Sequence, residues 1–340
     1  MINKLANLLA EKGALLADGA TGTSLFEMNL EAGEAPELWN INKPENIELL
    51  HQGFVDAGSD IILTNSFGGT RHRLKLHNAD DRVFEINKRA AEIACKIAAT
   101  VEREVIVAGS VGPTGELLVP LGTLTYDVAV ASFKEQMEGL LAGGADVLWI
   151  ETMSSPEEIN AAAEAANLVD APYVVTASFD TAGRTMMGLA PEDFHSVITA
   201  VKIKPTALGA NCGVGASDLL SSVLDMTKAA PEATIIAKAN CGIPVIRGDK
   251  VEYTGSPELM GEYVKLALDS GAKIIGGCCG TSTVHLKAMR IALDEHLSAI
   301  KPRPDIQAIE AAIGPMINKK ATSMDDMPKR ERKGRRRVAS

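Results

Sequence analysis

Two adjacent cysteines, Cys278 and Cys279, stand in the run Gly276–Gly280 (GGCCG), directly after the apolar segment Ala272-Lys273-Ile274-Ile275. Neighbouring side chains on a regular strand face opposite ways, so this pair can converge on one point only where the strand stops or bulges. The flanking glycines permit such a bend because they bear no Cβ. A third cysteine, Cys212, ends the similar run Ala207-Leu208-Gly209-Ala210-Asn211. Three thiolates meeting at one place suit a zinc ion (Zn2+) with an open fourth position, as in catalytic sites. The histidines do not compete. His51, His195, His285 and His296 fall in helical patterns, and His72 and His77 lie past the second strand's turn. An all-sulfur donor set points to zinc rather than iron. Two duller readings stay open: free cysteines are commonly small buried hydrophobes, and a vicinal pair can be a redox disulfide. Cys241 also ends an apolar run, where a fourth sulfur would close the site; it reads as a bystander. Cys95, in Glu92-Ile93-Ala94-Cys95, reads as helix packing.

The elements that must position these residues recur at regular intervals. Apolar, β-branched runs occupy residues 14–17, 60–64, 105–108, 147–150, 173–176, 207–210, 234–237 and 273–276. Helical periodicity fills the intervals, with start signals at Pro44, at Ser155-Pro156-Glu157-Glu158 (a capping box) and at Ser256-Pro257. Near-continuous apolar strands alternating with helices imply a parallel sheet covered on both faces. Eight such units predict an α/β fold closed as a (β/α)8 TIM barrel, over residues 1–298. Residues 299–340 read as a C-terminal extension, partly disordered and basic at its end.

A barrel of this kind carries its site where strands run into the following loops. Those ends read DGATGT from Asp18, TNSFGG from Thr64, GSVGPTGE from Gly109, ET from Glu151, SFDTAGRT from Ser178, NCG from Asn211, NCG from Asn240 and GGCCGT from Gly276. All three candidate zinc ligands therefore fall on one rim. The backbone N–H groups of the loop opened by Asp18 and Gly19 can hold a small carboxylate. Glu151 can receive a substrate ammonium, or serve as a rim salt bridge. Trp39, Phe67 and Tyr126 lie in the first three βα loops, where aromatic faces could wall a cationic ligand or simply pack.

The bulk properties narrow the setting. The chain has 340 residues and a formal charge of −10, with five cysteines. An odd cysteine count without disulfide-scaffold spacing, no apolar leader and no 18-residue apolar run together predict a cytoplasmic protein with no membrane partner. The acidic body argues against nucleic acid as a partner of the barrel. A homo-oligomer stays open. Pro328 to Ser340 (PKRERKGRRRVAS) is densely basic and reads as a solvated tail, with an acidic partner surface, RNA or a neighbouring subunit as alternatives.

DGATGT, TNSF, GANC and GGCCGT, in this order and at these strand ends, resemble the homocysteine S-methyltransferase family over residues 5 to 295. PELWN, TNSFGG and SFDTAGRTMMG are most similar to bacterial proteins described as betaine–homocysteine methyltransferases. The resemblance implies zinc on Cys212, Cys278 and Cys279, and homocysteine held by Asp18, Gly19 and Glu151. It implies methyl transfer from glycine betaine, giving methionine and dimethylglycine, with Trp39 at the donor pocket. Where the animal enzymes carry a tyrosine beyond the second strand, this chain has Gly68. S-methylmethionine or another sulfonium is the alternative donor, and a zinc or redox sensing protein is the alternative class. A cobalamin route is not expected, because 340 residues leave no room for cobalamin and folate modules.

Overall fold

The structure, a computed structural model, describes residues 3–198, 203–242, 244–247 and 250–318. The basic tail from Pro328 lies outside the described residues. Among the described residues there are ten strands: β1 Leu15–Leu16, β2 Ile61–Leu63, β3 Ile106–Val111, β4 Val147–Met153, β5 Tyr173–Ala177, β6 Ala207–Cys212, β7 Ile235–Ala239, β8 Pro244–Arg247, β9 Lys250–Tyr253 and β10 Ala272–Gly277. Eight of them form one parallel sheet in the order β1-β10-β7-β6-β5-β4-β3-β2. An Ala17↔Ile61 bridge and the Asp60 N–H donating to the Leu16 carbonyl at 2.7 Å join the two ends. The predicted (β/α)8 barrel is therefore what forms. The antiparallel pair β8–β9, which no periodicity announced, is an added hairpin between β7 and its helix.

Period-two alternation decides which side chains enter the barrel. Leu15, Ala17, Ile61, Leu63, Ile106, Ala108, Val147, Trp149, Val174, Ala207, Ile236 and Ile274 form one buried cluster inside it, and Leu5 and Leu8 join them. Those two leucines come from the helix Lys4–Lys12, so that helix caps the bottom. The intervening strand residues, such as Leu16, Ile62, Val107, Leu148 and Val175, pack outward against the helical ring.

Helix starts follow the sequence signals with one difference. Ser155 and Ser256 accept the N–H of Glu158 and Leu259, each with proline at the first helical position. Glu158 does not complete a capping box. Its carboxylate accepts the Thr114 N–H and hydroxyl at 2.9 and 2.7 Å, tying the third βα loop to the helix Pro156–Leu168 that follows β4. A loop donor that would otherwise be buried without a partner is the stronger claim on that carboxylate. After the last barrel helix, Ile306–Ile313 forms a further helix that buries Ile309 and Ile313. Asn3 caps the first helix and also donates to Thr206 at 2.7 Å.

Ile236, fully buried inside the barrel, gives a direct test of this core. Ile236→Ala should cost about 2–5 kcal/mol in denaturant unfolding, with an unchanged dependence on denaturant. A cost under about 1 kcal/mol would show that the interior is not close-packed there.

Candidate active site

The same alternation that fills the barrel turns polar at its upper end. Ser110 lies two residues beyond inward-facing Ala108, Glu151 two beyond Trp149, and Lys238 two beyond Ile236. Each therefore points into the barrel mouth. These residues, with Asp18, Thr64 and the three cysteines, line a cavity of about 270 Å³.

Cys212, Cys278 and Cys279 place their sulfurs within 4.8 Å of one another, and no histidine or carboxylate joins that cluster among the described residues. Cys212 Sγ and Cys279 Sγ are 4.0 Å apart. Two sulfurs at 2.3 Å from one tetrahedral ion stand about 3.8 Å apart, so the spacing fits zinc. Three sulfurs supply three corners, and the cavity faces the fourth. Hydrogen bonds from Cys212 and Cys278 pull the Cys279 thiol below its usual range. The Tyr253 hydroxyl adds a further hydrogen bond to it.

Local backbone explains the convergence. β10 ends at Gly277, the Cys278 N–H still pairs with the Ala239 carbonyl at 2.7 Å, and the chain then turns, with Thr281 N–H donating to the Cys278 carbonyl. Gly280 takes φ +79°, and a Cβ there would sit 2.3 Å from the Tyr253 ring. The Asn240 side chain accepts the Cys279 N–H at 3.1 Å. Cys212 itself has φ +63° and Thr152 φ +61°, conformations that side chains adopt at a cost. Asn211 holds that bend. Its carboxamide oxygen accepts the Thr152 N–H at 2.9 Å and the Thr176 hydroxyl at 2.6 Å, and its nitrogen donates to the Thr152 hydroxyl at 2.7 Å.

Beside the sulfurs lies a buried charge group. Asp18 accepts the Leu63 N–H at 2.7 Å with one oxygen and the Lys238 ammonium at 2.7 Å with the other. Burial opposes the Lys238 charge, but Asp18 and Glu151 outweigh it and the net shift is upward, so the ammonium persists. Glu151 accepts from the Ser110 hydroxyl at 2.5 Å, and burial pushes its carboxyl above the usual range.

The family model described as homocysteine S-methyltransferase matches residues 15–293. This chain belongs to the homocysteine S-methyltransferase family. Methionine synthase of Mycobacterium leprae (strain TN) is 26% identical over 316 residues, covering 88% of this chain and 26% of that protein. Methionine synthase of Mycobacterium tuberculosis is 26% identical over 306 residues, covering 85% of this chain and 25% of that protein. The chain thus spans about a quarter of the length of these curated relatives. In fold, it is similar to the homocysteine methyltransferase MmuM from Escherichia coli in its metallated form. That match has a TM-score of 0.72 and 23% identity, and covers 85% of this chain and 99% of MmuM.

Against the residues expected for such a family member, the structure gathers Asp18, Gly19, Glu151, Phe67 and the three cysteines around one cavity. Two expected walls are corrected. Trp39 is 2% exposed in the hydrophobic core, with the Lys43 ammonium 4.2 Å from its ring, because its short helix turns that face inward. Tyr126 begins the helix Tyr126–Ala142 and donates to Glu164 at 2.7 Å on the outside. Neither lines the cavity. Cys241 is buried and donates to the Gly255 carbonyl, outside the sulfur cluster. Cys95 donates to the Gly144 carbonyl from its helix.

Sequence reasoning missed Lys238 and Tyr253. A signal for Lys238 was present: a lysine in step with Ile236 inside an otherwise apolar strand. Tyr253 ends the unforeseen hairpin and had no signal. Replacing Lys238 by Met leaves Asp18 buried without its partner, at a cost of about 3–5 kcal/mol in stability. The Asp18→Asn/Lys238→Met double variant should regain most of it in the same unfolding measurement; additive losses would refute the pairing.

Proposed function

We propose that this protein transfers a methyl group from glycine betaine to homocysteine in a zinc-dependent reaction, giving methionine and dimethylglycine. The observation that carries the reading is the juxtaposition, in one cavity, of three converging sulfurs and the Glu151 carboxylate. One group addresses a substrate sulfur and the other its ammonium, which is the chemistry of a thiol amino acid. Zinc held by Cys212, Cys278 and Cys279 would lower the pKa of a bound thiol and present it as a thiolate.

The chain's own residues do the positioning. Ser110 orients Glu151 toward the ammonium, and Lys238 neutralises Asp18, so the local group carries one net negative charge for one substrate cation. Gly19 and its neighbours in the first loop supply backbone N–H groups beside the site for the substrate carboxylate. In the transfer, a sulfur electron pair forms the new S–CH3 bond while the N–CH3 pair stays on nitrogen. The thiol proton leaves before that step, so no general base is required. Alignment of the two reactants can supply about 7–11 kcal/mol of the barrier.

A sulfonium donor such as S-methylmethionine is the second reading. It is favoured by a specific observation: Trp39 is sealed in the core and Gly68 supplies no ring, so the cavity has fewer aromatic faces than a quaternary ammonium cage would use.

The deciding assay follows methionine formation from homocysteine with glycine betaine, S-methylmethionine or dimethylsulfoniopropionate supplied separately. Methionine mainly with betaine supports the first reading, and only with a sulfonium the second. In parallel, the purified protein should hold one zinc per chain, and Cys278→Ser should lose both zinc and activity. Undiminished turnover in a zinc-free Cys278→Ser protein would overturn the mechanism.

A further inference from the structure

The functional reading uses two of the cavity's carboxylates and leaves a third unexplained. Glu37 belongs to the short 3-10 turn Pro36–Leu38, is 6% exposed, and lines the same cavity as the cysteines. One oxygen, Oε1, accepts the Gly68 N–H at 2.6 Å. Among the described residues no cation lies within ion-pair distance of it, whereas Asp18 has Lys238 at 2.7 Å. Burying a carboxylate without a partner is costly, and proteins retain such groups where something supplies the missing charge.

The surrounding loop is shaped around this side chain. A Cβ at Gly68 would stand 2.8 Å from Glu37 Oε1, so the carboxylate itself closes the space beyond β2 that a side chain there would fill. Phe67, next to it, is 37% exposed and presents an aromatic ring to the same cavity.

Charge accounting completes the argument. Asp18, Glu37 and Glu151 bring three negative charges to the cavity wall, and Lys238 brings one positive charge. Two carboxylates, Glu37 and Glu151, therefore have no ion-pair partner among the described residues, and Arg73 and His77 act on Glu37 only from farther off. A thiol amino acid supplies one cation, its ammonium, which falls to Glu151. A methyl donor of the onium class supplies the second.

We propose that Glu37 is the counter-ion for the onium head of the methyl donor, and so a specificity-determining residue for that half of the reaction. The assignment rests on the methyltransferase reading. An onium loses its positive charge as the methyl leaves, so this attraction is stronger before the transfer than during it. Glu37 therefore strengthens donor binding and gives no help to the chemical step.

The test is Glu37→Gln, which keeps the shape and the acceptor for the Gly68 N–H but removes the charge. The donor, glycine betaine or S-methylmethionine, whichever the wild type turns over, should show a KM raised at least tenfold. The kcat should not fall, and the KM for homocysteine should stay within twofold. A role confined to tethering the loop predicts no change in donor KM, and that result would overturn the assignment while leaving the methyltransferase reading intact. A wild type that makes no methionine overturns both. If the variant does not fold, the wild type decides by inhibition. With betaine as the donor, its uncharged isostere 3,3-dimethylbutanoate should bind at least tenfold more weakly than betaine. With S-methylmethionine, the same comparison uses its carbon isostere 2-amino-5-methylhexanoate, which lacks the sulfonium charge. Equal affinities would overturn the assignment.

Discussion

The buried pair between Lys238 and Asp18 is the interaction on which the barrel mouth depends. Asp18 follows β1, takes the N–H of Leu63 from β2, pairs with Lys238 on β7, and accepts the Gly277 N–H of β10 at its carbonyl. One residue thus ties four strands where the sheet closes on itself. Buried charges of this kind contribute little net stability over an apolar pair, but removing either partner is expensive. That asymmetry turns a marginal contact into a constraint. With both present, the closure is held and Glu151, 9% exposed, is left as the neighbouring charge.

The sulfur site depends on a second constraint, the departure of three strand ends from regular geometry. A strand held to its alternation would point Cys278 and Cys279 to opposite faces. The turn after Gly277, the left-handed residues Thr152 and Cys212, and Gly280 beneath Tyr253 break the alternation where it must break. Such conformations cost about 1–3 kcal/mol each and persist only where surroundings over-determine them. Asn211, with three side-chain hydrogen bonds across β4, β5 and β6, supplies that surrounding.

Much of the architecture was legible in the sequence because both strand and helix leave periodic marks. All eight barrel strands lie on the apolar runs that announce them, and the proline-marked helix starts at Pro44, Ser155 and Ser256 are realised. The hairpin of β8 and β9 was not legible, because two four-residue strands are too short to leave a periodic mark. Trp39 was misplaced for a related reason. Its position in a βα loop suggested the cavity, but a large aromatic on a short helix gains more from the core, where it is sealed.

By itself, the sequence determined the barrel, the rim on which the chemistry lies and the three cysteines, since alternation and strand-end composition are local properties of the chain. Tertiary structure alone decided which charges meet there. Lys238 and Asp18 are separated by 220 positions, and Glu37 and Gly68 by 31, and no local pattern encodes either meeting. Their electrostatics follow from burial, which exists only once the strands have closed.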